Sequence, residues 1–533
     1  MTTSKRSQAD ELVVAARESG ELVHDPTGTP YAFVKAPEPG PHREILRIRS
    51  RTFRLWLAGR YWRAHGRPAG GQALTDALDV LGSVALFEGP ERHVGLRVAK
   101  GVGAIYVDLV DALWRSVEID RLGWRIVDES PIAFRRTRGM LPLPLPVEGG
   151  TLDELRDFAN VADEDDFKLL VGWLIAALRP SGPYIVLVLT GEQDSAKSTT
   201  ARLLRLLLDP NEVGDRALPR DEHSMAIAAS NSWIASFDNV STLQDWQSDA
   251  LARLATGAGF GTRQLYSDDE ETLVHVARPL ILNGIGGIVT RPDLMDRAIV
   301  IDLPAIPDDR RRPEAAFYAE FEAARPRLLG ALLAAVSSAF ARENEIDIHG
   351  LPRMADATKW VTAAEPVLRW PNLAFLTAYR ANRADSRALT LDASPLTAPI
   401  DLLVADHWSG TATELLHELE LRAAQDVVAR RDWPRTARIL GVELRRLAPD
   451  LRRVKQIEVA FERLAGTRTI RLVREGNLAS SPSSPSTELV PSDANDDRSH
   501  DRTNGAGQHQ PILAMPFDRQ PEPPSGDLVG DSR

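Results

Sequence analysis

An apolar run, Tyr184-Ile-Val-Leu-Val-Leu-Thr190, leads directly into Gly191, Glu192, Gln193, Asp194, Ser195, Ala196, Lys197, Ser198 and Thr199. A strand, a glycine turn, a lysine and paired hydroxyls in that order suit a phosphate-binding loop. Backbone N–H groups of the turn and of the following helix face phosphate oxygens, Lys197 adds a point charge, and Ser198 can ligate Mg²⁺. Ala196 stands where the pattern has a second glycine. A left-handed backbone there would carry strain, although alanine is the smallest replacement. The flanks agree: the run before the loop is continuously apolar, as in a strand buried on both faces, and Ser198 to Leu208 repeats apolar residues at helical spacing up to Pro210. The bland alternative is a chance glycine turn before a helix.

Three further apolar runs carry polar residues at positions where ligands bind in open parallel sheets. Trp233 to Phe237 ends in Asp238-Asn239, and Asp238 is placed to hold Mg²⁺. Asn239 can orient a water but cannot take its proton, so hydrolysis is expected to be slow or to draw its base from elsewhere, with Glu192 and Glu222 as weak candidates. Pro279 to Leu282 ends in Asn283, which could sense a γ-phosphate. Taken singly, each polar strand end reads as a turn residue; their order behind a phosphate loop favours the site. The third run, Ala298 to Ile301, follows Arg297, whose planar, permanently charged fork suits a γ-phosphate on a neighbouring subunit. The other reading of Arg297 is a surface arginine paired with Asp293 or Asp296.

These elements require an α/β core, expected over residues 151–310. Before it, residues 1–150 form a mixed α+β domain, with a helical arginine-rich stretch (Arg43 to Arg63), strands at Val94–Val98, Ala104–Leu109 and Trp124–Val127, and a proline-rich boundary from Leu141 to Gly150. Asp108 and Asp111, three apart near a strand end, read as surface residues rather than a shared metal site. After the core, helices starting near Pro313 and Pro326 open a helical region and linker, 311–399, followed by a compact unit over 400–475. Residues 476–533, rich in Ser, Pro, Asp and Asn, read as a disordered tail.

Composition limits the chemistry further. The chain of 533 residues has no cysteine, which excludes disulfides, thiolate nucleophiles and iron–sulfur clusters, and its eleven histidines do not cluster as ligands. The N-terminus lacks the apolar core of a signal peptide, and the longest apolar run, Leu169 to Leu178, is far short of the ~20 residues of a membrane helix. A soluble, cytoplasmic protein is expected, without a membrane partner.

The segment between Asp238 and Asn283 carries a resemblance. Leu251-Ala-Arg-Leu-Ala-Thr-Gly257-Ala-Gly259-Phe-Gly-Thr-Arg263-Gln-Leu-Tyr266, then acids, then Arg278-Pro279-Leu-Ile-Leu-Asn283, is similar to the superfamily III helicase core of phage and plasmid replication proteins, a branch of the AAA+ ATPases. The resemblance covers about 151–310. It implies an ATP-hydrolysing hexameric ring, with Lys197, Ser198, Asp238, Asn283 and Arg297 at the family's functional positions and Phe260 to Arg263 on a hairpin facing a DNA channel. The bland reading of Gly257 to Gly261 is a flexible loop.

Between Arg430 and Arg474 stand 13 Arg and Lys against 5 Asp and Glu, on a chain whose net charge is −11. That asymmetry points to a polyanion. Helices over Thr413–Ala424 and Thr436–Leu447, followed by a two-stranded ribbon (Ile457–Phe461 and Thr469–Val473), suggest a winged helix-turn-helix that contacts DNA through Arg438, Arg445, Arg446, Arg452, Arg453 and Lys455. The alternative is a solvated basic face balancing the acidic tail. The combined expectation is a DNA-associated, ATP- and Mg²⁺-dependent helicase in replication of a phage, plasmid or integrated element, with replication proteins as possible partners. Its rivals are a nucleotide-switched DNA-binding or loading protein and a regulatory or defence ATPase.

Overall fold

The computed structural model describes residues 6–35, 42–263, 271–274, 276–404, 407–464 and 467–474. The expected tail, 476–533, lies outside them.

The chain opens with α1 (Gln8–Ser19) and an antiparallel sheet of β1 (Gly20–His24), β2 (Pro30–Lys35) and β3 (Arg43–Arg47). Helices α2 (Arg51–His65) and α3 (Gly71–Phe87) complete this layer, burying Phe53, Leu57 and Leu81 with Leu12. The arginine-rich stretch is therefore not one helix. Its first part buries Ile45 as a strand, and the helix begins only after Ser50, whose Oγ accepts the Phe53 N–H at 3.1 Å.

Next come β4 (Val94–Gly95), β5 (Val98–Lys100), β6 (Ile105–Asp108), β7 (Ser116–Ile119), β8 (Trp124–Val127) and β9 (Ala133–Phe134). Strands β5 to β8 form an antiparallel sheet in sequence order, of which sequence reading had missed β7. Asp108 is buried rather than on the surface: Arg136 clamps it through Nε at 3.0 Å and Nη2 at 2.7 Å. Asp111 instead pairs with Arg115 at 2.6 Å.

Helix α4 (Glu164–Ala177) leads to the central parallel sheet of β10 (Val186–Thr190), β11 (Ala235–Phe237), β14 (Leu280–Asn283) and β15 (Ala298–Asp302), in spatial order β11-β14-β10-β15. Side chains alternate across its two faces. Leu187 and Leu189 join one core with Leu203 and Leu207 of α5 (Lys197–Leu208), while Val186 and Val188 join another with α6 (Glu222–Ser230) and α7 (Asp245–Thr256). This double burial explains why the strand reads as an unbroken apolar run. Strands β12 (Phe260–Arg263) and β13 (Glu271–Val274), between β11 and β14 in the sequence, pair antiparallel with Arg263 opposite Glu271.

The first core runs across position 150, since Ile105, Val107, Val117 and Ile119 pack with Trp173, Leu204 and Leu332. A fully buried ion pair reinforces this seam: Arg97 Nε donates to Asp209 at 3.0 Å, and the other Asp209 oxygen accepts the Trp233 and Ile234 N–H groups. Helix α8 (Pro292–Met295) precedes β15. Helix α9 (Glu314–Arg342) corrects the expectation of two helices, because it runs straight through Pro326. Phe321, Ala324, Leu328, Leu329 and Leu332 continue the buried face on both sides of the proline, so packing outweighs the lost backbone bond.

Helices α10 (Ala355–Ala364) and α11 (Ala374–Ala393) follow, with α12 (Thr397–Leu403) across the boundary expected at 399. The last unit comprises β16 (His407–Gly410), α13 (Ala412–Arg422), α14 (Gln425–Ala429), α15 (Ala437–Lys455), β17 (Ile457–Leu464) and β18 (Thr467–Arg474). Its sheet has three strands, β16-β18-β17, rather than a two-stranded ribbon. Helix α15 passes through Pro449 to Lys455, kept whole by the buried Leu440, Leu444, Leu447 and Leu451.

Candidate nucleotide and nucleic-acid sites

Strand β10 ends at Thr190, whose Oγ1 lies 2.8 Å from the Asp302 carboxylate at the end of β15. The chain then turns through Gly191, where φ is +145° and an added Cβ would stand 2.5 Å from the Leu303 carbonyl oxygen. Only glycine fits there. Asp194 and Ala196 are both left-handed, at φ +65° and +62°, so the strain anticipated at Ala196 is present in the backbone. The turn is pinned from a distance: Asn160 Nδ2 donates to the Ser195 and Pro304 carbonyls at 3.1 and 2.6 Å, and Arg311 Nη2 lies 3.2 Å from Asp194 Oδ2.

Lys197, at the start of α5, points its ammonium back into the turn, donating to the Gly191 carbonyl at 3.0 Å, to the Glu192 carbonyl and to Ser195 Oγ at 3.2 Å. Glu192, Gln193, Asp194 and Ser198 are exposed, Thr199 is half-buried and Ser195 is buried. The Ser198 hydroxyl donates to Asp238 Oδ1 at 3.0 Å. Asn239, left-handed at φ +55°, gives its N–H to Asp238 Oδ1 at 2.9 Å and to Asn283 Oδ1 at 3.1 Å. Asn283 is 1% exposed, and its Nδ2 is buried without a partner. Three strand ends from distant parts of the chain thus converge beside the loop. A helix N-terminus, a lysine, a hydroxyl beside a carboxylate and an unsatisfied amide donor fit a nucleotide triphosphate with Mg²⁺. Among the described residues no group of three or more His, Cys, Asp or Glu could hold a metal ion.

Of the two weak base candidates, Glu222 is paired with Arg253 at 2.7 Å and Glu192 is exposed on the turn. Arg297 lies against Asp293, its Nη1 2.5 Å from the carboxylate, with its side chain 11% exposed. Burial pushes the Asp293 carboxyl up, but Arg297 and Arg353 outweigh it and hold it below the ordinary range. Asp296 is engaged elsewhere, by Arg383 at 2.9 Å and by Arg387. Asp166 at the first turn of α4 is pushed up to about 6 by burial and by the neighbouring Asp163 and Asp302 carboxylates. Asn160, Arg311 and Asp166 escaped sequence reading, since none belongs to a local motif.

The second candidate site lies on α15. Arg438, Arg445 and Arg452 follow one another at seven-residue spacing on its exposed side, and Arg445 sits 4.6 Å above the Phe461 ring of β17. Arg453 is exposed, whereas Arg446 is tied to Glu443 at 2.7 Å. Lys455 is drawn off this face, bridging Asp392 at 3.1 Å and Asp401 at 3.8 Å. Arg263 lies on the β12 hairpin, its side chain outside the described part. Among the described residues no helix is long and apolar enough to cross a membrane.

No curated protein matches the sequence. Among solved structures, SCCmec type IV Cch, described as an active helicase, is 13% identical over 86% of this chain and 92% of its own, with a TM-score of 0.46. The apo C-terminal region of NrS-1 is 12% identical over 88% of this chain and all of its own, at a TM-score of 0.40. Both likenesses fall below the level at which a shared fold can be argued. The sequence matches are more telling. Residues 152–388 match the family described as actinomycete integrative conjugative element replication protein, and residues 396–486 match the C-terminal domain of the same family. The two matched stretches follow one another along the chain.

Proposed function

We propose that the chain is an ATP-dependent DNA helicase that replicates an integrated genetic element. The observation that carries this reading is the meeting of Ser198 and Asp238 at 3.0 Å directly beneath the Lys197 turn. Those are the two protein ligands that a Mg²⁺–ATP complex requires at the end of a phosphate loop, and the bound cation would offset charge on the β- and γ-phosphates. Lys197 exchanges its loop carbonyls for phosphate oxygens, Asn283 directs its free Nδ2 toward the γ-phosphate side, and Arg297 of a neighbouring subunit completes the site in a ring. The C-terminal unit, three helices against a three-stranded sheet, acts as a winged helix, with Arg438, Arg445 and Arg452 on phosphates. The match to a replication-protein family supports the same reading.

Asn239 favours a second reading, a nucleotide-switched loader that hydrolyses slowly and does not unwind, because no carboxylate follows Asp238. Steady-state ATP turnover with and without single-stranded DNA, paired with strand displacement, separates the two. The helicase reading requires both activities and their loss in Lys197→Ala. Turnover without displacement supports the loader, and undiminished turnover in Lys197→Ala removes both.

A further inference from the structure

The face of α2 turned away from its core is neither polar nor covered. Buried Phe53, Leu57 and Tyr61 mark the inner side, and opposite them Leu55 and Trp62 are 61% and 55% exposed, two turns apart. The helix carries four arginines, Arg51, Arg54, Arg60 and Arg63, and no acid. Arg54 is occupied, donating to Thr75 Oγ1 and the Gly71 carbonyl. Arg51, Arg60 and Arg63 are exposed and, among the described residues, none has a carboxylate in ion-pair reach. Arg60 instead rests 5.8 Å from the centre of the Trp56 ring. Arg97, Arg136, Arg297, Arg383 and Arg387 all meet carboxylates of their own chain.

Unpaired guanidinium groups on the same helix as an uncovered indole fit a ligand that offers both negative charge and flat aromatic surface. A folded acidic partner would meet the charge but would not need an exposed indole. Duplex DNA keeps its bases stacked inside and offers α2 only phosphates. A single strand offers both, with bases free to lie on an aromatic face while phosphates run past arginines. We propose that α2 is a single-strand-binding surface, with Trp62 as the stacking platform and Arg51, Arg60 and Arg63 tracking the backbone. It is separate from the basic face of α15 and rests on the functional reading only in taking nucleic acid as the partner.

The test uses the full chain, a labelled oligothymidylate and a labelled duplex, read by fluorescence anisotropy over a salt series. Trp62→Ala should weaken single-strand binding about tenfold, from the loss of one stacked base. In Arg60→Ala/Arg63→Ala the slope of log affinity against log salt should become shallower by about 1.4, at about 0.7 per phosphate on a single strand. Both variants should keep the wild-type thermal midpoint, duplex affinity and ATP turnover, the last of which reports separately on the nucleotide site. Wild-type single-strand affinity in both variants, or no single-strand binding by the parent chain, overturns the proposal. A changed oligomeric state by light scattering also overturns it and assigns the strip to a subunit contact.

Discussion

Ser198 and Asp238 are forty residues apart in sequence, yet the hydroxyl of one donates to the carboxylate of the other at 3.0 Å. The pair is pre-formed, so little reorganisation separates it from a cation-binding arrangement. Ser198→Ala should raise the Mg²⁺ concentration needed for half-maximal ATP turnover by at least about tenfold, a loss on the scale of removing a supporting group at a metal site. A magnesium titration of turnover gives the answer, and a curve superimposable on wild type would show that the hydroxyl does not reach the cation.

Ala196 has φ +62° and ψ +27°. A left-handed L-residue costs about 1–2 kcal/mol, and glycine's greater freedom in the unfolded chain gives back about 0.5–1 kcal/mol. Ala196→Gly should therefore stabilise the fold slightly, raising the thermal midpoint by about a degree. A lowered midpoint would mean that the turn is not left-handed in solution.

Arg297 is held by Asp293 within its own chain. If it acts on a neighbour's nucleotide, Arg297→Ala should bind ATP almost normally but hydrolyse it at least about tenfold more slowly, since such a group stabilises transition-state charge. Mixing Arg297→Ala with Lys197→Ala subunits should restore part of the activity, because some interfaces then join an intact loop to an intact arginine. Co-assembled mixtures that stay inactive at every ratio would rule out a shared site.

Asp166 titrates at about 6 in the folded chain, above the ordinary 3.8. Its raised value means that the folded state holds a proton the unfolded state has released. Ionised Asp166 thus weakens the fold above about pH 6, and the penalty disappears as pH falls from 6 toward 4. Asp166→Asn should raise the thermal midpoint at pH 7.5 and narrow its advantage steadily over that window. An advantage independent of pH would assign the effect to packing.

The phosphate loop and the strand ends were legible because each is local: a strand, a turn and a cap occupy consecutive residues. Lys197, Ser198, Asp238 and Asn283 each stand at an element end that the local pattern announces, and the parallel sheet then brings them together. The misreadings share another cause. Pro326 reads as the start of a helix and the helix over Thr436–Leu447 stops short of Pro449, yet both prolines lie inside helices whose buried leucines continue past them. Arg43 to Arg47 belongs to the stretch expected to be helical, but it forms a strand with Ile45 buried. Asn160 and Arg311 reach the loop only through tertiary folding, and no spacing announces them. Lys455 counted as a DNA contact in the charge tally, but Asp392 and Asp401 claim it.

Helix α11 touches both the central parallel sheet and the last unit. On one side Asn382 takes the N–H and carbonyl of Val300 as a neighbouring strand would, closing the open edge of β15. One turn on, Arg387 grips Asp296 beside Arg297 and lies 3.9 Å from Asp450 of α15. The last turn of the same helix brings Asp392 to Lys455. A rotation of α15 against α11 would therefore strain the Arg387–Asp450 and Lys455–Asp392 contacts and, through Arg387 and Asp296, the segment that leads into β15.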